Sequence, residues 1–202
     1  RSGSVTGVQT CALPILTVIV PHCEMGQGIH TALAMMLAEE LEADWNLVRV
    51  EEAPAEDAFA NGYPVRVFMP FVAEVPKFME RSVDYGTFKL TQLLDLQLTG
   101  GSSSVRGTGQ LGMRVAGAAA KAMLLEAAAK RWNVPASECV AKLSMVTHAG
   151  RQQSATFGEL AAEAAQLDPP VHPTLKSREA YSIVGKPVAR LDIPSKVDGT
   201  RF

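Results

Sequence analysis

Hydrophobic positions change period several times along this chain, and each change predicts an element. LTVIV, from Leu16 to Val20, is an unbroken apolar run rich in β-branched residues and predicts a strand. Ile29, Leu33, Met36, Leu37 and Leu41 then recur at helical spacing, and LVRVEEAP after Trp45-Asn46 alternates like a second strand. Strand, glycine turn, helix and strand in this order predict a βαβ-like unit. Residues 53–71, rich in Pro, Gly and Ala, predict a long loop, and VPKFMERSVDYGTFKLTQLLDLQL predicts one or two helices with Gly86 as the break.

TGGSSSVRGTG, residues 99–109, is small, polar and aperiodic, and reads as a loop. QLGMRVAGAAAKAMLLEAAAKRW reads as a helix whose last turn carries Lys130 and Arg131, as suits the negative end of a helix dipole. Its abundance of Ala and Gly implies close packing on a neighbour. A single strand, AKLSMVTHA, is expected after VPASECV. Helix, Trp-Asn and strand thus occur around both Trp45 and Trp132, which is either a weak internal repeat or coincidence. ATFGELAAEAAQL reads as a capped helix, DPPVHPTLK as a Pro-rich linker, and YSIVGKPVARLDIPSKVDGTRF as the start of something new. The fold class expected is α+β.

Length and composition narrow the picture. With 202 residues, 47% of them hydrophobic, the chain can bury the core of one domain, or of one and a half. Nineteen basic and 21 acidic residues are mixed along it, so no basic face is available for a phosphate backbone, and nucleic acid is not the expected partner. No apolar run approaches the roughly 20 residues that span a bilayer, and the first residues lack the basic-then-apolar layout of a signal peptide.

VTGVQTCALPI, residues 5–15, resembles the conceptual translation of a sequencing-library adapter. Residues 1–15 are therefore set aside as an adapter-derived artefact. The natural chain is expected to enter at about Leu16, and RLDIPSKVDGTRF stops at Phe202 without a closing element, so a fragment of a longer polypeptide is expected. Outside that segment only Cys23 and Cys139 remain, far apart and without C-x-x-C or histidine spacing, which makes neither a zinc nor an iron–sulfur site.

Two glycine-rich turns, MGQGIH and GGSSSVRGTG, each precede an expected helix. Unpaired N–H groups at a helix start suit an anion, and glycine lets a ligand approach the backbone closely. Neither turn has the spacing of a P-loop or of a dinucleotide fingerprint. On spacing alone a plain tight turn is the simpler reading, and an anion seat is the other.

PHCEMGQGIHTALAMMLAEELEADWNLVRVEEAP, TGGSSSVRGTGQLGMRVAGAAAKAMLLEAAAKRW and GKPVARLDIPSKVDGTRF together resemble the molybdopterin-binding large subunit of the xanthine dehydrogenase/aldehyde oxidase family. The isoquinoline 1-oxidoreductase beta-subunit type is the nearest in pattern. The resemblance covers nearly all of residues 16–202; Cys23 stands where the family usually has Ser, and Ser103 where it often has Thr. It implies that residues 16–167 form a molybdopterin-binding domain, a partial cofactor cradle. Residues 168–181 would be a linker and 182–202 the start of an α/β hammerhead-like domain.

The resemblance further implies that Gly26, Gln27 and Gly28 line the pterin and its phosphate. Ser102, Ser103, Ser104, Val105 and Arg106 would form a second wall, although Arg106 also reads as a surface salt-bridging arginine. The implied cofactor is molybdopterin cytosine dinucleotide carrying molybdenum, with 2Fe-2S clusters in a small ferredoxin-like partner subunit and a small-molecule substrate. The general-base Glu of the family belongs to a motif outside this chain, so no catalytic residue is assigned here and Glu24 is read as structural. His22 and His30 are read as hydrogen-bonding or packing residues rather than metal ligands, and His148 and His172 have no visible partner. An export signal, if present, would lie upstream, which leaves cytoplasm and periplasm both open. The competing expectation is a stand-alone α/β module that binds a phosphorylated small molecule.

Overall fold

The computed structural model describes residues 8–10, 16–61, 75–94 and 96–198. Strand β2 (Leu16–Val20) buries Leu16, Val18 and Val20 on one face. It leads through the Gly-Gln-Gly turn into helix α1 (Ile29–Leu41) and returns in β3 (Val48–Glu52), which pairs with it in parallel, Val18 opposite Val50. The expected βαβ unit is therefore present. β1 (Val8–Thr10), within the segment set aside above, pairs antiparallel on the other edge of β2.

Helix α2 (Lys77–Leu93) runs through Gly86 as one helix, not two. Much of the loop expected over residues 53–71 lies outside the described residues. Residues 99–109 depart from the expected loop. The chain turns helical at Ser102, passes through a π-helical stretch at Val105–Met113, and continues into helix α3 (Arg114–Trp132). Serine and glycine favour helices weakly, so the local sequence hides this start. Packing supplies it instead, because Gly107, Gly109 and Met113 are buried.

α3 lies against α1, and two glycines set how close it comes. A Cβ at Gly109 would fall 2.5 Å from the Met36 sulfur, and one at Gly117 would collide with the Leu37 carbonyl oxygen. The contacts advance together along both helices, from Leu33 and Met36 opposite Gly109 to Leu37 and Glu40 opposite Gly117, so the helices run parallel.

The single strand expected after α3 is a hairpin. β4 (Val140–Lys142) and β5 (Met145–His148) pair antiparallel, and β6 (Gln153–Thr156) completes a meander. Leu143 and Ser144 make the two-residue turn with φ of 49° and 61°, a pairing usually left to Asn and Gly. The strain is held by the segment just after α1, since Ser144 N–H donates to the Glu42 carbonyl at 3.0 Å and the Ser144 hydroxyl accepts from Asp44 N–H at 2.9 Å. The two Trp-Asn pairs also differ, because Asn46 lies in a 3-10 turn capped by Asp44 while Asn133 is the left-handed C-cap of α3. Helix α4 (Phe157–Ala164) opens with the expected cap, a reciprocal box between Thr156 and Glu159. The result is an α+β architecture with one core cluster shared by both sheets. Among the described residues no helix is long and apolar enough to cross a membrane.

Residues 168–192 contain little regular structure, yet they are fastened to α1. The buried Glu39 carboxylate accepts from the N–H groups of Ser182, Ile183 and Val184 and from Lys176 Nζ. Burial pushes its pKa up, but these donors outweigh that and bring it down to about 2. Glu40, also buried, takes the Arg114 guanidinium and the Lys176 N–H. A short helix, α5 (Ile193–Val197), follows.

Gly117→Ala tests the helix contact. Helix propensity alone would add about 1 kcal/mol of stability, whereas a collision with backbone that cannot rotate away costs about 1–3 kcal/mol. A net loss in urea unfolding is expected; an unchanged or raised midpoint would contradict the packing.

Candidate cofactor-binding site

The first turn is built around a carboxylate. Gly26 and Gly28 have φ of 100° and 80°, conformations that disfavour a side chain. Gly28 is the N-cap of α1 and offers no capping side chain. Glu24 caps the helix instead, accepting from the N–H groups of Gly26 (2.9 Å), Gly28 (2.8 Å) and His30 (3.2 Å). Its side chain is 1% exposed. Burial raises its pKa, but the three N–H bonds prevail and the net shift is downward. Glu24 thus serves as the cap of α1, and it takes N–H groups that the sequence offered to an external anion.

Gln27 joins this turn to the second one. Its Oε1 accepts from Met25 N–H at 2.6 Å, and its Nε2 donates to the carbonyls of Cys23 (2.9 Å) and Gly100 (3.3 Å). The Thr99 hydroxyl also donates to the Cys23 carbonyl, at 3.2 Å. A Cβ at Gly100 would lie 2.8 Å from the Ser103 hydroxyl and 3.1 Å from that of Ser104, so a side chain here would displace both hydroxyls. Ser104 is fully buried, and its hydroxyl has no hydrogen-bond partner among the described residues. A buried hydroxyl left unpaired is costly unless something else meets it.

The structure therefore brings Gly26, Gln27, Gly28, Ser103 and Ser104 together, with Ser102 exposed beside them. Val105 packs on the core, and Arg106 is exposed without an ion pair among the described residues. One residue had no local signal in the sequence: Arg190, from the far end of the chain, donates from Nη1 to the Gly26 carbonyl (2.8 Å) and from Nη2 to Glu24 (3.2 Å).

His22 and His30 are internal fasteners. His30 Nε2 lies 2.7 Å from the His22 carbonyl, and His22 Nε2 lies 2.9 Å from the Thr108 hydroxyl. Burial drives the His22 pKa down to about 4; the Leu98 backbone opposes this and His30 adds to it. His148 does have a partner, Glu138 at 2.9 Å. The Cys23 thiol is exposed and donates to Glu52 at 3.1 Å, which raises its pKa and makes it a poor thiolate. Among the described residues no three His, Cys, Asp or Glu side chains gather as a metal-binding group. Next to the His22–Thr108 pair opens an apolar cleft of about 530 Å³, lined by Pro21, Phe59, Asn61, Phe88, Thr108 and Leu111 among others.

No protein-family model matches the chain. Two curated relatives do. The isoquinoline 1-oxidoreductase subunit beta of Brevundimonas diminuta is 32% identical over 92% of this chain and 24% of its own length. The membrane-bound aldehyde dehydrogenase (pyrroloquinoline-quinone) of Gluconacetobacter polyoxogenes is 30% identical over 92% of this chain and 20% of its own length. The chain is similar to both over nearly its whole length. It spans about a quarter or less of the length of these relatives, both of which are named as oxidoreductases. The two glycine-rich turns, MGQGIH and GGSSSVRGTG, are the ones that Gln27 joins.

The neutral His22 makes this region acid-sensitive. Unfolded chain takes up a proton at His22 near pH 6.5 and folded chain only near 4, so stability is full above 6.5 and falls as pH drops through that window. Urea melts between pH 7.5 and 4 are expected to lose on the order of 3 kcal/mol from this group, a slope that His22→Gln removes. An identical pH slope in the variant would contradict it.

Proposed function

We propose that the chain is part of the cofactor-binding large subunit of a molybdenum hydroxylase, which oxidises an N-heterocycle or an aldehyde with water as the oxygen source. In this reading residues 16–167 are the molybdopterin-binding domain and residues 182–202 the entry to a hammerhead-like domain. The cofactor is molybdopterin cytosine dinucleotide. The observation that carries the reading is the Gln27 amide bridging both glycine turns beside the buried Ser104 hydroxyl, which has no partner among the described residues.

The donor chemistry fits such a group. A pyrophosphate suits uncharged donors set in a rigid wall, and Ser102, Ser103 and Ser104 can supply hydroxyl hydrogens there, while both Gln27 amide hydrogens hold the two turns together. Gly26 and Gly28 contribute close approach, since their N–H groups serve Glu24. Val105 would support the second wall from the core side and Arg106 would lie at its outer margin. When bound, the cofactor supplies the two-electron oxidation, and the electrons leave through 2Fe-2S clusters of a small ferredoxin-like subunit. The chain's own residues bind and orient; the general base is expected from a later part of the subunit, so residues 1–202 alone are inactive.

The test is a subunit in which this chain continues to the length of its relatives, purified from molybdenum-replete cells with its small partner. Equal amounts of molybdenum and acid-released cytidine monophosphate are expected. Gln27→Ala, which also removes the bonds that join the two turns, should lower both at least tenfold, about 1.4 kcal/mol. Neither molybdenum nor cytidine monophosphate in the pure protein would overturn the proposal. Pyrroloquinoline quinone in the extract would move the cofactor to the one in the second relative's name. A nucleotide-dependent rise in melting temperature of residues 1–202 alone would favour a stand-alone binding module.

A further inference from the structure

We propose that Arg190 is a positioning residue for the Gly-Gln-Gly turn, acting through Glu24 and the Gly26 carbonyl. A carboxylate as buried as Glu24 requires an opposite charge or several donors to remain ionised. The helix start provides three N–H groups, and Arg190 provides the cation at 3.2 Å. The same guanidinium holds the turn at a second point, the Gly26 carbonyl, 164 residues away in sequence. Gly26 has φ of 100° and no side chain, so its peptide plane needs an external restraint, and this bond supplies one.

Arg190 is itself oriented. Its Nε and Nη2 donate to the two oxygens of Asp192 at 3.0 and 2.7 Å, and Lys196 holds the same carboxylate at 2.6 Å. Asp192 is buried, and Arg190 foremost, then Lys196, keeps its carboxyl well below the usual range. Two carboxylates and two cations therefore balance in one cluster. The planar fork of arginine reaches Asp192, Glu24 and Gly26 at once; a lysine ammonium on a flexible stem does not reproduce that geometry.

Gln27 lies between the two glycines that this clamp fixes, so Arg190 sets where the Gln27 amide points. The consequence for a cofactor rests on the proposed function, while the clamp does not. Under that reading a segment assigned to the next domain completes the first wall of the site.

The experiment uses the 202-residue chain, labelled with nitrogen-15, and its Arg190→Gln, Arg190→Lys and Arg190→Ala variants. Amide exchange at Gly26, Gly28 and His30 is expected to accelerate at least tenfold in each variant, with exchange at Val146 and Ala155 unchanged. The Gln27 side-chain amide signals should shift toward those of a free glutamine. Methylguanidinium added to Arg190→Ala should restore both, and methylammonium should not. If Arg190→Gln fails to fold, Arg190→Lys, which keeps the charge, gives the same readout. Unchanged exchange at the three amides, or equal acceleration at Val146 and Ala155, would overturn the proposal. Because no cofactor is needed, that result would remove the clamp and leave the cofactor reading standing. Absence of cytidine monophosphate from the loaded subunit would do the reverse.

Discussion

The contact of Gly117 with the Leu37 carbonyl is the constraint on which the remaining architecture depends. It lets α3 approach α1 at backbone distance, and the parallel course of the two helices then puts both their starts at one end. The start of α1 is the Gly-Gln-Gly turn and the start of the α3 run is the Gly-Gly-Ser-Ser-Ser turn. Two segments more than 70 residues apart become one surface, which Gln27 closes with hydrogen bonds to Cys23 and Gly100. Antiparallel packing of the same helices would have sent the turns to opposite ends.

Buried carboxylates on and before α1 do the remaining fastening. Glu24 satisfies the helix start and recruits Arg190; Glu39 takes three successive N–H groups and Lys176; Glu40 takes Arg114 and the Lys176 backbone. Each carboxylate is buried, so its hydrogen-bond partners come from the protein rather than from water. This explains how residues 168–192 keep a defined course with little secondary structure. It also links the end of the chain to the same helix that carries the candidate site.

Much of this order was legible in the amino-acid sequence where local pattern and tertiary packing agree. LTVIV, the Ile29-to-Leu41 periodicity and the Thr156–Glu159 cap each specify their element without help from distant residues. The site's first turn and its serine partner were legible as motifs and as a family resemblance. What was hidden depends on contacts across the chain. Ser102 enters a helix although serine and glycine resist one, because the buried Gly109 further along fits against α1. Leu143 and Ser144 form a tight turn that neither residue favours, because Glu42 and Asp44 hold it. Arg190 carries no local signal of its partner, since Gly26 is 164 residues away.

The account stands or falls on the two turns meeting, and a nuclear Overhauser measurement on the folded chain tests that directly. Cross-peaks between the Gln27 side-chain amide hydrogens and the Gly100 α-hydrogens are expected, since Gln27 Nε2 lies 3.3 Å from the Gly100 carbonyl oxygen. A folded chain with assigned Gln27 and Gly100 signals and no such cross-peak would contradict the shared site and the parallel packing that creates it.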